Sequence, residues 1–169
     1  GADPSHASRL RELWARAYPS TPLPAPTGPH WKEMGWQGND PGTDFRGSGL
    51  LALTHLLFFA ERYPRSFVRL MLKQDGRRSE WEYPFAVAGT NLTFQLVQML
   101  EVRCGGAAPP QSAAGRAFLP LLEGAEEPLS ELYCAAFERL DREWLEARAS
   151  YMEFNSVMET TKRAVEGAL

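Results

Sequence analysis

The sequence predicts an all-α fold, a single-domain helical bundle with a long Pro/Gly-rich loop segment near its amino end. Three observations carry that prediction. Apolar residues recur at steps of three and four over most of the chain. No period-2 alternation is bounded by hairpin turns. Pro64, Pro84 and Pro128 each stand at the start of an apolar-periodic segment, where a missing backbone N–H costs a helix nothing. The length of 169 residues, with 44% hydrophobic and 11% aromatic residues, suits one domain with a substantial core, and no internal repeat is visible.

Gly1 to Ser5 has neither the basic nor the apolar region of a signal peptide and reads as a cloning remnant, leaving residues 6–169 as the domain. Leu10, Leu13, Trp14 and Tyr18 recur among charged residues and give a first amphipathic helix from Ser5 to Tyr18. Pro19, Pro22, Pro24, Pro26 and Pro29 then remove backbone donors and impose extended conformations, as in a linker or a strapped surface loop. A short helical turn from His30 to Met34 ends at Gly35. The stretch Trp36 to Gly49, with four glycines and no periodicity, reads as a loop.

Helices follow. Leu50, Leu51, Leu53, Leu56, Leu57, Phe58 and Phe59 cover a wide face behind Ser48 as N-cap. Pro64 ends that helix and opens the next, where Phe67, Leu70 and Met71 face inward before Asp75-Gly76. Pro84 to Arg103 is apolar nearly all round and is expected to be the central helix. Gly105 to Ser112 is a connector, and Phe118, Leu119, Leu121 and Leu122 form a short helix. From Pro128, Leu129, Leu132, Tyr133, Ala136, Phe137, Leu140 and Trp144 give the clearest amphipathic signal, and a helix from about Tyr151 to Val165 completes the bundle.

Composition excludes several classes of function. A net charge of -3 lacks the basic field that nonspecific nucleic-acid binding needs. The two cysteines, Cys104 and Cys134, have no C-x-x-C spacing, and three scattered histidines form no metal cluster, so neither a disulfide framework nor a metal site is expected. The longest apolar run, Leu50 to Ala60, is much shorter than the roughly 20 residues of a membrane span. These features point to a cytoplasmic monomer. His55, mid-helix among leucines, reads as a satisfied core histidine, and no nucleophile-base pair suggests a hydrolase acting alone. Arg62, Arg65, Arg69 and Lys73, with Arg77 and Arg78 beyond, form a positive stretch. It reads either as a solvated helix face or as a patch for the acidic surface of a partner protein or an anionic membrane.

The segment that carries chemistry is Trp31-Lys32-Glu33-Met34-Gly35-Trp36-Gln37-Gly38-Asn39-Asp40-Pro41-Gly42-Thr43-Asp44-Phe45-Arg46-Gly47. Two tryptophans, a phenylalanine and an arginine in so glycine-rich a loop are costly parts for a connector. Trp31, Trp36 and Phe45 are suited to anchor the loop in the core. Asp44 is suited to accept hydrogen bonds from backbone amides or from Arg46, and Arg46 stands where it can project outward. On composition alone, Arg46 could equally pair with Asp44 or cap a neighbouring helix.

The run W-x-x-x-G-W-Q-G-x-x-P-x-T-D-F-R-G, followed by the apolar Leu50 helix, resembles the signature of the ELMO domain family. Downstream, Trp81-Glu82-Tyr83-Pro84-Phe85-Ala86-Val87-Ala88-Gly89 and Arg148-Ala149-Ser150-Tyr151-Met152-Glu153-Phe154-Asn155 resemble its short plant and algal members. The resemblance implies a helical fold. One branch of the family activates Arf and Arf-like small GTPases through an arginine in the T-D-F-R-G segment, which is Arg46 by position. Gln37, Gly38, Pro41, Thr43 and Gly47, with the aromatic anchors and Gly35, are then loop-supporting residues. The other branch, the animal engulfment scaffolds, lacks the arginine and works with an exchange factor for Rac. The alternative reading is therefore a non-catalytic module that binds a GTPase or an exchange-factor partner. Trp36 departs from the phenylalanine of many members. On the first reading the partner GTPase carries GTP and Mg²⁺, so this chain needs no cofactor, and contact with membranes is peripheral. The physical case for arginine is general: its fixed fork of donors clamps the charge that develops on phosphoryl oxygens and leaving group, an effect on the order of 10³ to 10⁵ in rate.

Overall fold

A computed structural model describes residues 4–45, 47–102 and 108–169. Arg46, together with Arg103, Cys104 and Gly105 of the central helix and connector expected from sequence, lies outside the described residues. All regular elements among the described residues are helical: α1 (Pro4–Ala17), α2 (Gly49–Arg62), α3 (Pro64–Met71), α4 (Phe85–Leu100), α5 (Ala113–Gly124), α6 (Pro128–Glu146) and α7 (Phe154–Ala168). Because α1 begins at Pro4, two of the five residues set aside as a remnant are helical.

The bundle is organised around α2, α4 and α6. Helix α2 packs on α1, α3, α4 and α6, and α4 packs on α2, α5, α6 and α7. Their shared core is aromatic: Phe59 meets Phe67 edge-on at 5.8 Å, Phe67 meets Phe85 at 5.1 Å, and Phe85 stacks on Phe137 at 4.9 Å. Such pairs add to the burial energy of rings already worth several kcal/mol each, of the order of 1 kcal/mol per pair.

The structure departs from the sequence-based expectation at four places. Ser48 occupies the N-cap position of α2, but its side chain makes no capping hydrogen bond. Helix α4 is not enclosed all round: Asn91, Phe94 and Gln98 form an open stripe, Phe94 being 44% exposed. Only the Ala114, Gly115 and Phe118 face of α5 is covered, leaving Leu119, Leu121 and Leu122 in solvent. His55 is only half matched: its Nδ1 lies 2.9 Å from Thr93 Oγ1, while its buried Nε2 has no partner among the described residues.

Burial lowers the His55 pKa from 6.5 to about 4, so the folded protein keeps this ring neutral. The unfolded chain gains a proton near pH 6.5 and the native chain does not, so the associated stability is intact above that pH and is lost on acidification towards 4. Denaturant unfolding is expected to give about 2 kcal/mol less stability at about pH 5 than at about pH 7.5, from ~1.4 kcal/mol per pH unit. A His55→Gln variant should lose that slope, and a flat profile in the parent would contradict the assignment.

A second buried polar group ties the 72–84 loop to α6. Arg78 donates through both terminal nitrogens to the Asp141 carboxylate, each at 2.8 Å, and Tyr83 donates its hydroxyl to Asp141 at 2.7 Å. Asp141 is 3% exposed. Asp141→Asn conserves volume but removes the charge facing Arg78, and should cost about 2 to 3 kcal/mol in denaturant unfolding.

Candidate functional site

The signature loop is a shaped element. Its first part, Pro29–Met34, forms a 3-10 turn that stops at Gly35, where φ is +87°. No side chain is tolerated there: a Cβ on Gly35 would lie 2.2 Å from the Phe85 nitrogen and 2.8 Å from the Pro84 carbonyl carbon. The close approach lets the Gly35 carbonyl accept from the Val87 N–H at 3.1 Å, docking the loop on the first turn of α4. The stretch after Trp36 is more ordered than its composition indicates, because Pro41–Phe45 forms a second 3-10 turn.

The aromatic anchors sit as the sequence suggests. Trp31, Trp36 and Phe45 are 0%, 2% and 6% exposed. Trp31 meets Trp14 of α1 edge-on at 5.3 Å and donates its indole N–H to the Pro26 carbonyl, and Trp36 meets Phe45 edge-on at 5.4 Å. Among the described residues the buried Trp36 indole N–H finds no acceptor, a donor that phenylalanine at this position would not carry.

Hydrogen bonds set the rest of the loop. The Asp44 carboxylate accepts from the Gln37 N–H at 2.9 Å, closing the loop across its base. The Thr43 hydroxyl lies 2.8 Å from the Asp40 carbonyl, and the Asp40 side chain accepts from the Gly42 N–H at 2.9 Å. Pro41 is buried and Gly38 half-buried, while the Gln37 side chain is exposed. On the far side of Arg46 in sequence, Gly47 approaches α4 closely enough that a Cβ would lie 3.3 Å from the Phe94 ring. Of the two sequence neighbours of Arg46, Phe45 is held in the core and Gly47 is exposed.

A cleft of about 550 Å³ opens beside the loop. One wall is Gln37, Thr43 and Asp44; the floor comes from Pro84, Val87, Thr90 and Asn91; the other wall is Tyr151, Phe154 and Asn155. Three stretches far apart in the chain, Trp31–Gly47, Trp81–Gly89 and Arg148–Asn155, therefore each contribute residues to one concavity. Sequence reasoning assigns Thr90, Asn91, Tyr151 and Asn155 no place in a site. A signal for them exists nonetheless, since all four fall in or next to the two downstream motifs.

The positive stretch is not one surface. Arg69 bonds to Asp75 and, at 2.7 Å, to Glu138. Lys73 lies with Nζ 3.3 Å from the centre of the Tyr83 ring and donates to the Leu70 carbonyl, and burial lowers its pKa to about 7. Arg78 is engaged by Asp141. Arg62 makes an exposed pair with Glu131 at 3.4 Å, and Arg65 is exposed. A patch built from Arg62, Arg65, Arg69 and Lys73 is thereby reduced to the exposed Arg62 and Arg65, because Arg69 is paired with carboxylates of the fold and Lys73 is buried, its charge weakened by a pKa lowered to about 7. No helix among the described residues is long and apolar enough to cross a membrane.

Comparison with known proteins gives a consistent picture. The sequence model of the ELMO/CED-12 family matches residues 1–158. ELMO domain-containing protein A of Dictyostelium discoideum is 32% identical over 179 residues, an alignment covering 97% of this chain and 18% of that protein. ELMO domain-containing protein 2 of Mus musculus is 29% identical, with 99% of this chain and 55% of that protein covered. Engulfment and cell motility protein 3 of Homo sapiens is 28% identical, with 96% and 20% covered. The chain thus spans between 18% and 55% of the length of these relatives.

Proposed function

Since the chain belongs to the ELMO/CED-12 family, we propose that it is a GTPase-activating domain for an Arf or Arf-like small GTPase, with Arg46 as the arginine supplied to the partner's nucleotide site. The observation that carries this reading is the convergence of the three motif segments on one cleft, walled in part by the loop residues that lead into Arg46 in sequence. The loop is braced ahead of that residue, where Phe45 is buried in the core. The carboxylate nearest to it in sequence, Asp44, accepts a hydrogen bond from the Gln37 amide.

The chemistry follows from the guanidinium. In phosphoryl transfer the protein's contribution is positioning and charge stabilisation, and a planar fork of donors can bind a γ-phosphoryl oxygen and the leaving-group oxygen together. No proton is taken or given by such a group. The partner supplies GTP, Mg²⁺ and the residue that positions water, while this chain contributes the arginine and the surface that aims it.

The competing reading is a non-catalytic module that binds a GTPase or an exchange factor, and it draws on the similarity to an engulfment and cell motility protein. Single-turnover GTP hydrolysis across a panel of Arf-class GTPases separates the two, with the parent chain compared with Arg46→Ala and Arg46→Lys. Stimulation that both substitutions abolish supports activation. Binding without stimulation, insensitive to either substitution, supports the scaffold.

A further inference from the structure

We infer that Trp81, Tyr151 and Met152 form the apolar part of the surface on which the partner GTPase docks, meeting apolar surface on the partner. The inference rests on the reading of Arg46 given above. A stable protein interface covers about 800 Å² on each partner, far more than one loop and one guanidinium offer. The partner must therefore cover surface adjoining the loop, and Tyr151 lies on such surface, since it lines the same cleft as Gln37, Thr43 and Asp44.

The exposure of these residues has no explanation in the fold. Tyr83, Phe85 and Ala149, in the same two motifs, are buried in the core. Trp81, Tyr151 and Met152 are 70%, 53% and 87% exposed. Burying a tryptophan removes on the order of 200 Å² from water, and an exposed group of large apolar side chains rimmed by polar residues marks a binding surface. The rim is present in the exposed neighbours Glu80 and Arg148.

The backbone carrying these side chains is also fixed in advance. The Tyr151 N–H donates to the Trp81 carbonyl at 2.8 Å, joining the two motifs. Ser150 and Glu153 close the turn as a capping box, the Ser150 N–H donating to the Glu153 carboxylate at 2.8 Å and the Ser150 side chain accepting from the Glu153 N–H. Tyr151 stacks on Phe154 at 6.3 Å. A turn held this firmly loses little backbone entropy on association, so its apolar surface converts efficiently into affinity. Neither Phe94 on α4 nor the exposed leucines of α5 line the cleft.

The test uses whichever Arf-class GTPase the parent chain binds best, loaded with GTP for turnover and with a non-hydrolysable analogue for binding. Trp81→Ala and Met152→Ala are compared with Arg46→Ala, with thermal melts confirming that each variant folds. Trp81→Ala is expected to weaken binding and raise KM about tenfold, and Met152→Ala about threefold, with kcat unchanged, whereas Arg46→Ala lowers kcat at nearly constant KM. Binding by both exposed-residue variants within twofold of the parent would overturn the docking surface even if Arg46→Ala abolished turnover. Weakened binding beside an inert Arg46→Ala would remove the catalytic reading and keep the surface. If no GTPase of the panel binds the parent chain, both are overturned.

Discussion

Arg46→Ala is expected to lower the stimulated GTP hydrolysis rate at least a thousandfold while changing affinity for the GTP-bound partner by no more than about threefold. The asymmetry follows from where the charge is needed. Negative charge accumulates on phosphoryl and leaving-group oxygens only as the bond breaks, so a guanidinium placed there stabilises the transition state far more than the bound complex. The rate factor that an arginine in this role supplies, roughly 10³ to 10⁵, corresponds to about 4 to 7 kcal/mol of barrier. Arg46→Lys should recover little of this, because an ammonium offers one point charge where two oxygens must be bridged. Single-turnover hydrolysis and equilibrium binding, measured on the same partner, check both halves. Equal losses in rate and affinity would mean that Arg46 contributes to docking rather than to chemistry.

Gly35→Ala is expected to destabilise the fold by more than about 4 kcal/mol, an effect few single substitutions reach. Two costs coincide at this position. The left-handed conformation, at φ +87°, disfavours any Cβ by about 1 to 2 kcal/mol. The added methyl would also sit 2.2 Å from the Phe85 nitrogen, and the obstacle is main chain at the start of α4, which no rotamer change can clear. Relief requires moving the loop off α4, which breaks the bond between the Val87 N–H and the Gly35 carbonyl and opens the cleft. Chemical denaturation gives the stability loss. A variant that folds with near-parent stability and normal activity would show that the loop does not depend on this contact.

How much of this is legible in the sequence depends on whether the determinant is local. The helices announce themselves because a buried stripe must repeat with the helical period, and Pro64 and Pro128 open helices in the structure as their positions predict. The anchoring of Trp31, Trp36 and Phe45 is legible because large aromatic rings in a glycine-rich loop have few places to go but inward. Exposure of Leu119, Leu121 and Leu122 is not, since amphipathicity states which face is apolar and not whether anything covers it. The charged stretch misleads for a related reason. Helical spacing suggests one solvated face, but α3 ends at Met71 and Lys73 adopts φ +52°, and the carboxylates that claim Arg69 and Arg78, Glu138 and Asp141, come from a distant part of the chain. The cleft is hidden for the same cause, being the meeting of three segments whose proximity only the tertiary fold creates.

The proline-rich stretch ahead of the loop has a measurable consequence of its own. The Gly28 N–H donates to the Asn39 carbonyl at 2.8 Å, the Trp14 indole to the Thr21 carbonyl at 2.8 Å and the Trp31 indole to the Pro26 carbonyl. Many of its residues carry no exchangeable amide, and the stretch is clasped between α1 and the 3-10 turns. In deuterium labelling the Gly28 amide should exchange slowly, alongside helical ones, since its opening requires the proline-rich stretch and the loop to part. A segment whose composition reads as linker would then behave kinetically as one cooperative unit with the loop that follows it.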